Sequence, residues 1–294
     1  MKNLKGSAIL LITAIIWGSA FVAQTSGAGS LGTFSFNALR GVVAALFLCA
    51  LVIIRYIISK EKTRWPVAQG MICGVILCAA MGFQQAGIAA YPAGVAASGR
   101  AGFLTATYVV MVAGFSVFLG KKAHLCMFLS TGICLIGMYL LCMANGFSGI
   151  YLGDILELLC AVLFTAHIIV VDQFNESDSI KLSLIQFVTC ALISGVLMLA
   201  FENLTYDSIE LAAVPILYAG VMSSGVAYTL QMVGQKYAQP SVAAIIMSLE
   251  SVFAALTGWL ILNESLSGRE LLGCVLVFAA VLIAQIPDFT EKKN

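Results

Sequence analysis

Three charged side chains stand out inside apolar stretches of this sequence: Arg40, Arg100 and Glu250. In hydrocarbon each would cost at least about 2.5–3.5 kcal/mol, so such groups face a cavity or a partner charge rather than lipid. Arg40 and Arg100 stand about seven residues into their stretches, on the order of 10 Å deep at 1.5 Å per residue, too far for an easy return to water. Glu250 lies near the middle of its own stretch. A carboxylate there can carry a proton or oppose an amine, and a guanidinium can grip a carboxylate through paired hydrogen bonds. The competing assignment is structural: a Glu–Arg or Arg–backbone pair that pins helices, with Arg40 a structural or gating charge near the outer mouth.

Amides and rings extend the set. Gln84 and Gln231 recur at the same place in the two halves of the chain, and Gln85 and Gln186 add amides to otherwise apolar runs. Buried amides either hydrogen-bond a solute or fasten helices together at roughly 0.6–2 kcal/mol each. Trp17 and Phe21, four residues apart, share a helix face, and Tyr108 and Tyr228 offer further rings that could stack on a flat or cationic solute or simply pack. His167 and Asp172 form an HxxxxD string like that of membrane acyltransferases, where a His–Asp pair activates a hydroxyl. Five residues on a helix set the side chains roughly 140° apart, which counts against that dyad and for a cavity or packing histidine. The nine cysteines lack paired CxxC spacing and fall almost entirely in apolar runs, so no metal, no cofactor and no disulfide is expected.

The elements that position these residues follow from composition. The 294 residues are 61% hydrophobic and 10% charged, with a mean hydropathy of +1.02, against about a quarter charged in soluble domains. A net charge of +1 gives no basic surface for nucleic acid. Segments near 4–23, 33–54, 67–86, 94–118, 123–142, 152–171, 181–200, 212–232, 240–262 and 270–286 each approach the roughly 20 apolar residues a spanning helix needs. The expected fold is therefore all-α and polytopic, with ten transmembrane helices. The first stretch is long for a signal peptide and lacks a cleavage site, so it is expected to be retained.

Twelve of the fifteen Lys and Arg (Lys2, Lys5, Arg55, Lys60, Lys62, Arg64, Lys121, Lys122, Lys181, Lys236, Lys292, Lys293) fall on one side of that arrangement and only Arg269 on the other. The positive-inside rule then places both termini in the cytoplasm of a multi-pass inner-membrane protein. The chain also repeats: a shift of 147 brings Trp17 onto Phe164, Gln84 onto Gln231, Gly87 onto Gly234 and Val95-Ala96-Ala97 onto Val242-Ala243-Ala244. Residues 1–147 and 148–294 then hold five spans each, and an odd number inverts the second repeat relative to the first. Gly70 and Gly74 form a GxxxG motif best used inside a monomer, leaving a monomer or a weak homodimer.

Four segments resemble the ten-helix EamA-type members of the drug/metabolite transporter superfamily, in order and over essentially the whole chain. They are Ile16-Trp17-Gly18-Ser19-Ala20-Phe21, Phe36-Asn37-Ala38-Leu39-Arg40, Ala101-Gly102-Phe103-Leu104-Thr105-Ala106-Thr107-Tyr108, and Leu249-Glu250-Ser251-Val252-Phe253-Ala254-Ala255-Leu256, the last running on to Trp259-Leu260-Ile261-Leu262-Asn263-Glu264. Tyr108 and Ser251 stand where that family commonly has proline, and Lys121 where it has glutamate, so the prolines that would break spans 4 and 9 are missing. The resemblance implies a central cavity lined by spans 1, 3, 4, 6, 8 and 9, and a secondary carrier of small organic solutes such as amino acids, amines or related metabolites. The substrate-binding candidates are Trp17, Phe21, Gln84, Arg100, Tyr108, His167, Tyr228, Gln231 and Glu250, with Glu250 also the candidate for proton coupling. Solute and membrane lipid are the expected partners. A membrane acyltransferase or a non-transporting sensor or scaffold are the alternatives.

Overall fold

The computed structural model describes residues 2–60, 63–92, 97–118, 125–142, 151–262 and 267–284. Lys62, Lys121, Lys122, Lys292, Lys293 and the Asn263-Glu264 pair therefore lie outside the described residues. Backbone in lipid must satisfy its own hydrogen bonds, and every regular element described is helical. In chain order they are α1 (Lys2–Ala28), α2 (Thr33–Ser59), α3 (Val67–Ala89), α4 (Ala97–Ala106), α5 (Tyr108–Phe118), α6 (Leu125–Cys142), α7 (Leu152–Gln173) and α8 (Ser179–Phe201). There follow α9 (Tyr206–Leu211), α10 (Ala213–Leu217), a π-helical segment (Tyr218–Ala227), α11 (Tyr228–Gln235), α12 (Pro240–Met247), α13 (Glu250–Leu262) and α14 (Gly268–Ala284).

Seven spans among the described residues are long and apolar enough to cross a membrane: Leu4–Ala28, Thr33–Ser59, Val67–Ala89, Leu152–Gln173, Ser179–Phe201, Ala213–Gln235 and Pro240–Ile261. Shorter apolar helices cover Leu125–Leu140 and Leu271–Ile283. Polarity runs opposite to that of a soluble protein. Leu46, Leu192, Val196 and Leu199 are each about two-thirds exposed or more, whereas Arg40, Gln186, Glu157 and His167 are at most 2% exposed. The chain is a multi-pass membrane protein with its polar groups turned inward.

Punctuation in the sequence sets several helix ends. Lys60 takes a left-handed conformation (φ 52°) and returns its N–H to Tyr56 O, closing α2; Pro240 opens α12, where its missing N–H is not needed. The carboxylate of Asp178 accepts the N–H groups of Ile180 and Lys181 at 3.2 and 3.3 Å and so caps α8. It also takes Arg55 and the Thr63 hydroxyl, both at 2.9 Å, binding the ends of α2 and α8 at the basic face. At the other end Glu202 accepts the N–H groups of Phe34 and Ser35 at 2.9 and 2.7 Å, capping α2 from the end of α8.

Two of the expected continuous spans are broken. The stretch 94–118 divides into α4 and α5 at Thr107, and 240–262 divides into α12 and α13 at Ser248-Leu249. Neither break uses proline. Thr107 Oγ1 donates to Leu104 O at 2.5 Å, Ser248 Oγ to Ile245 O at 2.7 Å and Ser251 Oγ to Ser248 O at 2.8 Å, so hydroxyls bonding back along the turn take carbonyls from the helical ladder. The N–H groups of Thr107 and Leu249 tighten accordingly onto residues three back.

Helices pack mainly as α6 on α14, α2 on α8, α3 on α7 and α8, and α1 on α13. Where α3 meets α8, a Cβ at Gly70 or Gly74 would come within 2.6 Å of Ile185 or Thr189, so the GxxxG spacing serves contact within the chain. At Gly18 a Cβ would stand 2.7 Å from Glu250 O and 2.8 Å from Ala254 N, so only glycine lets α1 lie this close to the start of α13.

Candidate solute cavity

The breaks, the π-helical segment and the α1–α13 crossing converge on one narrow crevice, in which about 30 Å³ can hold the centre of a water molecule. In this conformation it has room for a few waters. Trp17 and Phe21 reach it from α1, Gln84 from α3, Tyr108 from the first position of α5, Tyr228 and Gln231 from α11, and Glu250 from the first position of α13. Arg40 adds α2 to the walls. Seven of the nine residues singled out as solute contacts therefore share a single surface.

Aromatic order holds that surface. The Trp17 and Tyr228 rings lie 4.7 Å apart, and Trp17 Nε1 donates to Ser223 O at 3.3 Å inside the π-helical segment. A π-helix leaves a carbonyl for such a side chain because its ladder is widened, and such segments recur at functional sites. Phe187 packs edge-on to Tyr228 with ring centres 5.4 Å apart.

The charges on this surface are not neutralised by protein. Arg40 is 2% exposed; it donates from Nη1 to Gln24 Oε1 at 3.1 Å and lies 5.7 Å from the centre of the Phe36 ring. Its Nε has no acceptor, and among the described residues no carboxylate pairs with it. Glu250 is 5% exposed and its Oε1 is buried without a hydrogen-bond partner. The Tyr108 side chain neighbours it, but the phenolic oxygen closes no hydrogen bond of ordinary geometry and is itself unpartnered. The N-terminus of α13 gives Glu250 the support of the helix dipole. Gln231 Oε1 is likewise unpartnered, and Gln84 reaches Thr105 Oγ1 only at 3.5 Å.

Two expected contacts sit elsewhere. Arg100 donates from Nε and Nη2 to Asp154 at 2.5 and 2.7 Å, with Tyr151 under its guanidinium at 4.9 Å; Tyr91 and the Tyr151 N–H complete the acceptor shell of Asp154 at 3.0 and 2.9 Å. His167 meets Gln186 Oε1 at 2.8 Å, its Nδ1 has no partner, and it stacks edge-on behind Tyr228; Asp172 is not its partner. Cavity residues that the sequence argument passed over are Gln24, Thr105, Phe164, Ile168 and Ser223. Phe164 had a signal, because it is the repeat counterpart of Trp17.

The EamA-like transporter family model matches this chain twice, over residues 4–143 and 151–285. The chain belongs to the EamA-like transporter family. It is 29% identical over 289 residues to an uncharacterised transporter of Archaeoglobus fulgidus, covering 97% of this chain and 87% of that one. It is 22% identical over 280 residues to the uncharacterised transporter YoaV of Bacillus subtilis, covering 93% and 94% respectively. A solved crystal structure shares the fold with a TM-score of 0.78 at 19% identity, over 95% of this chain and 96% of that one. An EamA-like membrane transporter needs a solute site within the bilayer, and the crevice between α1, α3, α11 and α13 is the candidate for it.

Proposed function

We propose that this EamA-like protein is a secondary active carrier that moves a small organic solute bearing both an anionic and a cationic group, of the amino-acid or related-metabolite kind, across the inner membrane by alternating access. One observation carries the reading: Arg40 and Glu250 line the same buried crevice, and neither has an ionic partner in the protein. A site that keeps two opposite charges apart and desolvated binds well only when a ligand supplies their complements. Trp17 and Tyr228 add flat surfaces for the apolar part of such a solute. Glu250 also remains the candidate for proton coupling, exchanging a proton for the solute cation.

The transport geometry in this reading is ten spans in two inverted repeats, with α4–α5 and α12–α13 as the broken fourth and ninth. The packing pattern supports it. Under the repeat, span 1 corresponds to 6 and span 4 to 9, so the contact of α1 with α13 has its counterpart in that of α7 with α4, and that of α3 with α7 in that of α1 with the π-helical segment and α11. Equivalent spans also pair with each other, α2 with α8 and α6 with α14. The basic side carrying Arg55, Lys181 and Lys236 faces the cytoplasm together with both termini. Cysteine labelling from each side of the membrane should find Lys60→Cys inside and Asn203→Cys outside; labelling of Asn203→Cys from the cytoplasmic side would sink the orientation. Thermal shift with a panel of neutral L-amino acids, followed by uptake of the stabilising compounds into proteoliposomes, tests the carrier itself. No stabilisation and no uptake by any member would contradict the solute class.

A further inference from the structure

Beside the cavity but outside it lies a second acid. Glu157, in the second turn of α7, is 0% exposed, with Oε1 buried and lacking any hydrogen-bond partner. Its other oxygen accepts the Thr105 hydroxyl at 2.7 Å, and Thr105 is itself a wall of the cavity, 3.5 Å from Gln84 Nε2. The slot is shaped for the carboxyl: at Gly87 of α3 a Cβ would stand 2.6 Å from Glu157 Oε1.

The surrounding groups do not neutralise this acid. Within α7, Asp154 and Cys160 lie to either side. Tyr91 faces it from the end of α3, Arg100 of α4 is engaged by Asp154, and α5 and α11 bring only Tyr108 and Tyr228, while α12 has no ionisable residue. Among the described residues no cation pairs with Glu157. An ionised carboxylate so placed is expensive, whereas a carboxylic acid that gains and loses a proton through one hydroxyl is chemically consistent with every neighbour.

We propose that Glu157 is a proton-binding site of the transport cycle, connected to the solute cavity by Thr105. On protonation the Thr105 O–H bond breaks as its proton passes to Glu157 Oε2, and a hydronium ion in the cavity restores the Thr105 hydroxyl and leaves as water. Release is the reverse. The acid is separate from Glu250: it touches no cavity space and reaches the solute only through Thr105 and Gln84. The use of this proton in transport rests on the carrier reading; its existence does not.

The test is the pH-induced infrared difference spectrum of the purified protein in lipid, which reads the C=O stretch of buried carboxylic acids without any solute. Wild type should show a protonation band that Glu157→Gln removes, Glu157→Asp retains at a shifted frequency, and Thr105→Val shifts by deleting the hydrogen bond. Glu250→Gln should leave that band in place. Superimposable spectra of Glu157→Gln and wild type would overturn the proposal, whatever the protein transports. For any solute found to be carried, Glu157→Gln should flatten the pH profile of uptake by about tenfold across the wild-type optimum. An unaltered profile would overturn the link to transport, whereas absence of uptake by wild type would count against the carrier reading and leave the spectroscopic result to decide the proton site.

Discussion

Two arginines are buried in this bilayer-spanning protein, and they are treated in opposite ways. Arg100 is held by both oxygens of Asp154, a tyrosine ring and the hydrogen bonds that tie Asp154 to Tyr91 and Tyr151. Arg40 has a single amide oxygen and the Phe36 ring 5.7 Å beneath it, and the acid that shares its crevice, Glu250, has no hydrogen bond on Oε1. A completed pair has nothing left to offer a ligand and everything to lose if one member is removed. An uncompleted one costs stability in the empty protein and recovers it on binding. The difference separates a helix fastener from the proposed recognition site more sharply than burial does, since both arginines are under 10% exposed.

Removing one half of the fastened pair should have the largest effect on folding. Arg100→Gln or Asp154→Asn is expected to lower stability by about 3 kcal/mol, the lower end for a buried pair because Asp154 sits in the first turn of α7. The double variant should regain much of that in thermal melts; if single and double variants melt alike, the pair is not a unit. The uncompleted charges should behave inversely. Arg40→Gln and Glu250→Gln are expected to reduce transport about tenfold or more and to melt at or above wild type, because each removes an uncompensated buried charge, with Glu250→Asp keeping part of the activity.

Smaller effects belong to the tie that Asp178 makes with Arg55 and Thr63 at the basic face. Burial alone would raise the Asp178 carboxyl, but the Thr63 hydroxyl, the Lys181 N–H and the charges of Arg55 and Lys181 together hold it below the ordinary carboxylate range. Because the folded value is depressed, its stabilisation is complete above the unfolded value near 3.9 and is lost as pH falls through the lower folded value. The melting-temperature gap between wild type and Asp178→Asn should therefore be constant near neutrality and close only in strong acid; a gap already closing at pH 6 would assign the stabilisation to another group. Asp178→Ala should cost about 1 kcal/mol through the lost α8 cap. Least of all, Ser248→Ala should change stability by under about 1 kcal/mol, its effect appearing in transport if the α12–α13 break shapes the site.

Much of this arrangement was legible in the residues. Ten apolar runs, the twofold recurrence of Gln84 in Gln231 and the isolated Glu250 pointed to a helical membrane protein with a polar interior, because hydrocarbon penalises each of those features unless something compensates. What escaped notice was local. Asp154 and Glu157 stand near the start of a span, where depth alone gives an acid a route to water; their burial comes from Tyr91, Tyr151 and α4 folding over that end. The breaks at Thr107 and Ser248-Leu249 were hidden because proline was the expected signal, and hydroxyls bonding back along a turn do the same work from residues that occur in any helix. The π-helical segment has no composition of its own; Gly220 and Gly225 pack against Val43 and Phe47 of α2 there, a contact that only the tertiary structure reveals.

The contrast between the two arginines and their acids is tested most directly by measuring proteoliposome transport and melting temperature together on Glu250→Gln and Arg100→Gln. The account predicts that Glu250→Gln melts at or above wild type but loses transport, and that Arg100→Gln melts well below it. Wild-type transport by Glu250→Gln, or destabilisation of Glu250→Gln equal to that of Arg100→Gln, would contradict the assignment of an uncompleted charge to the solute.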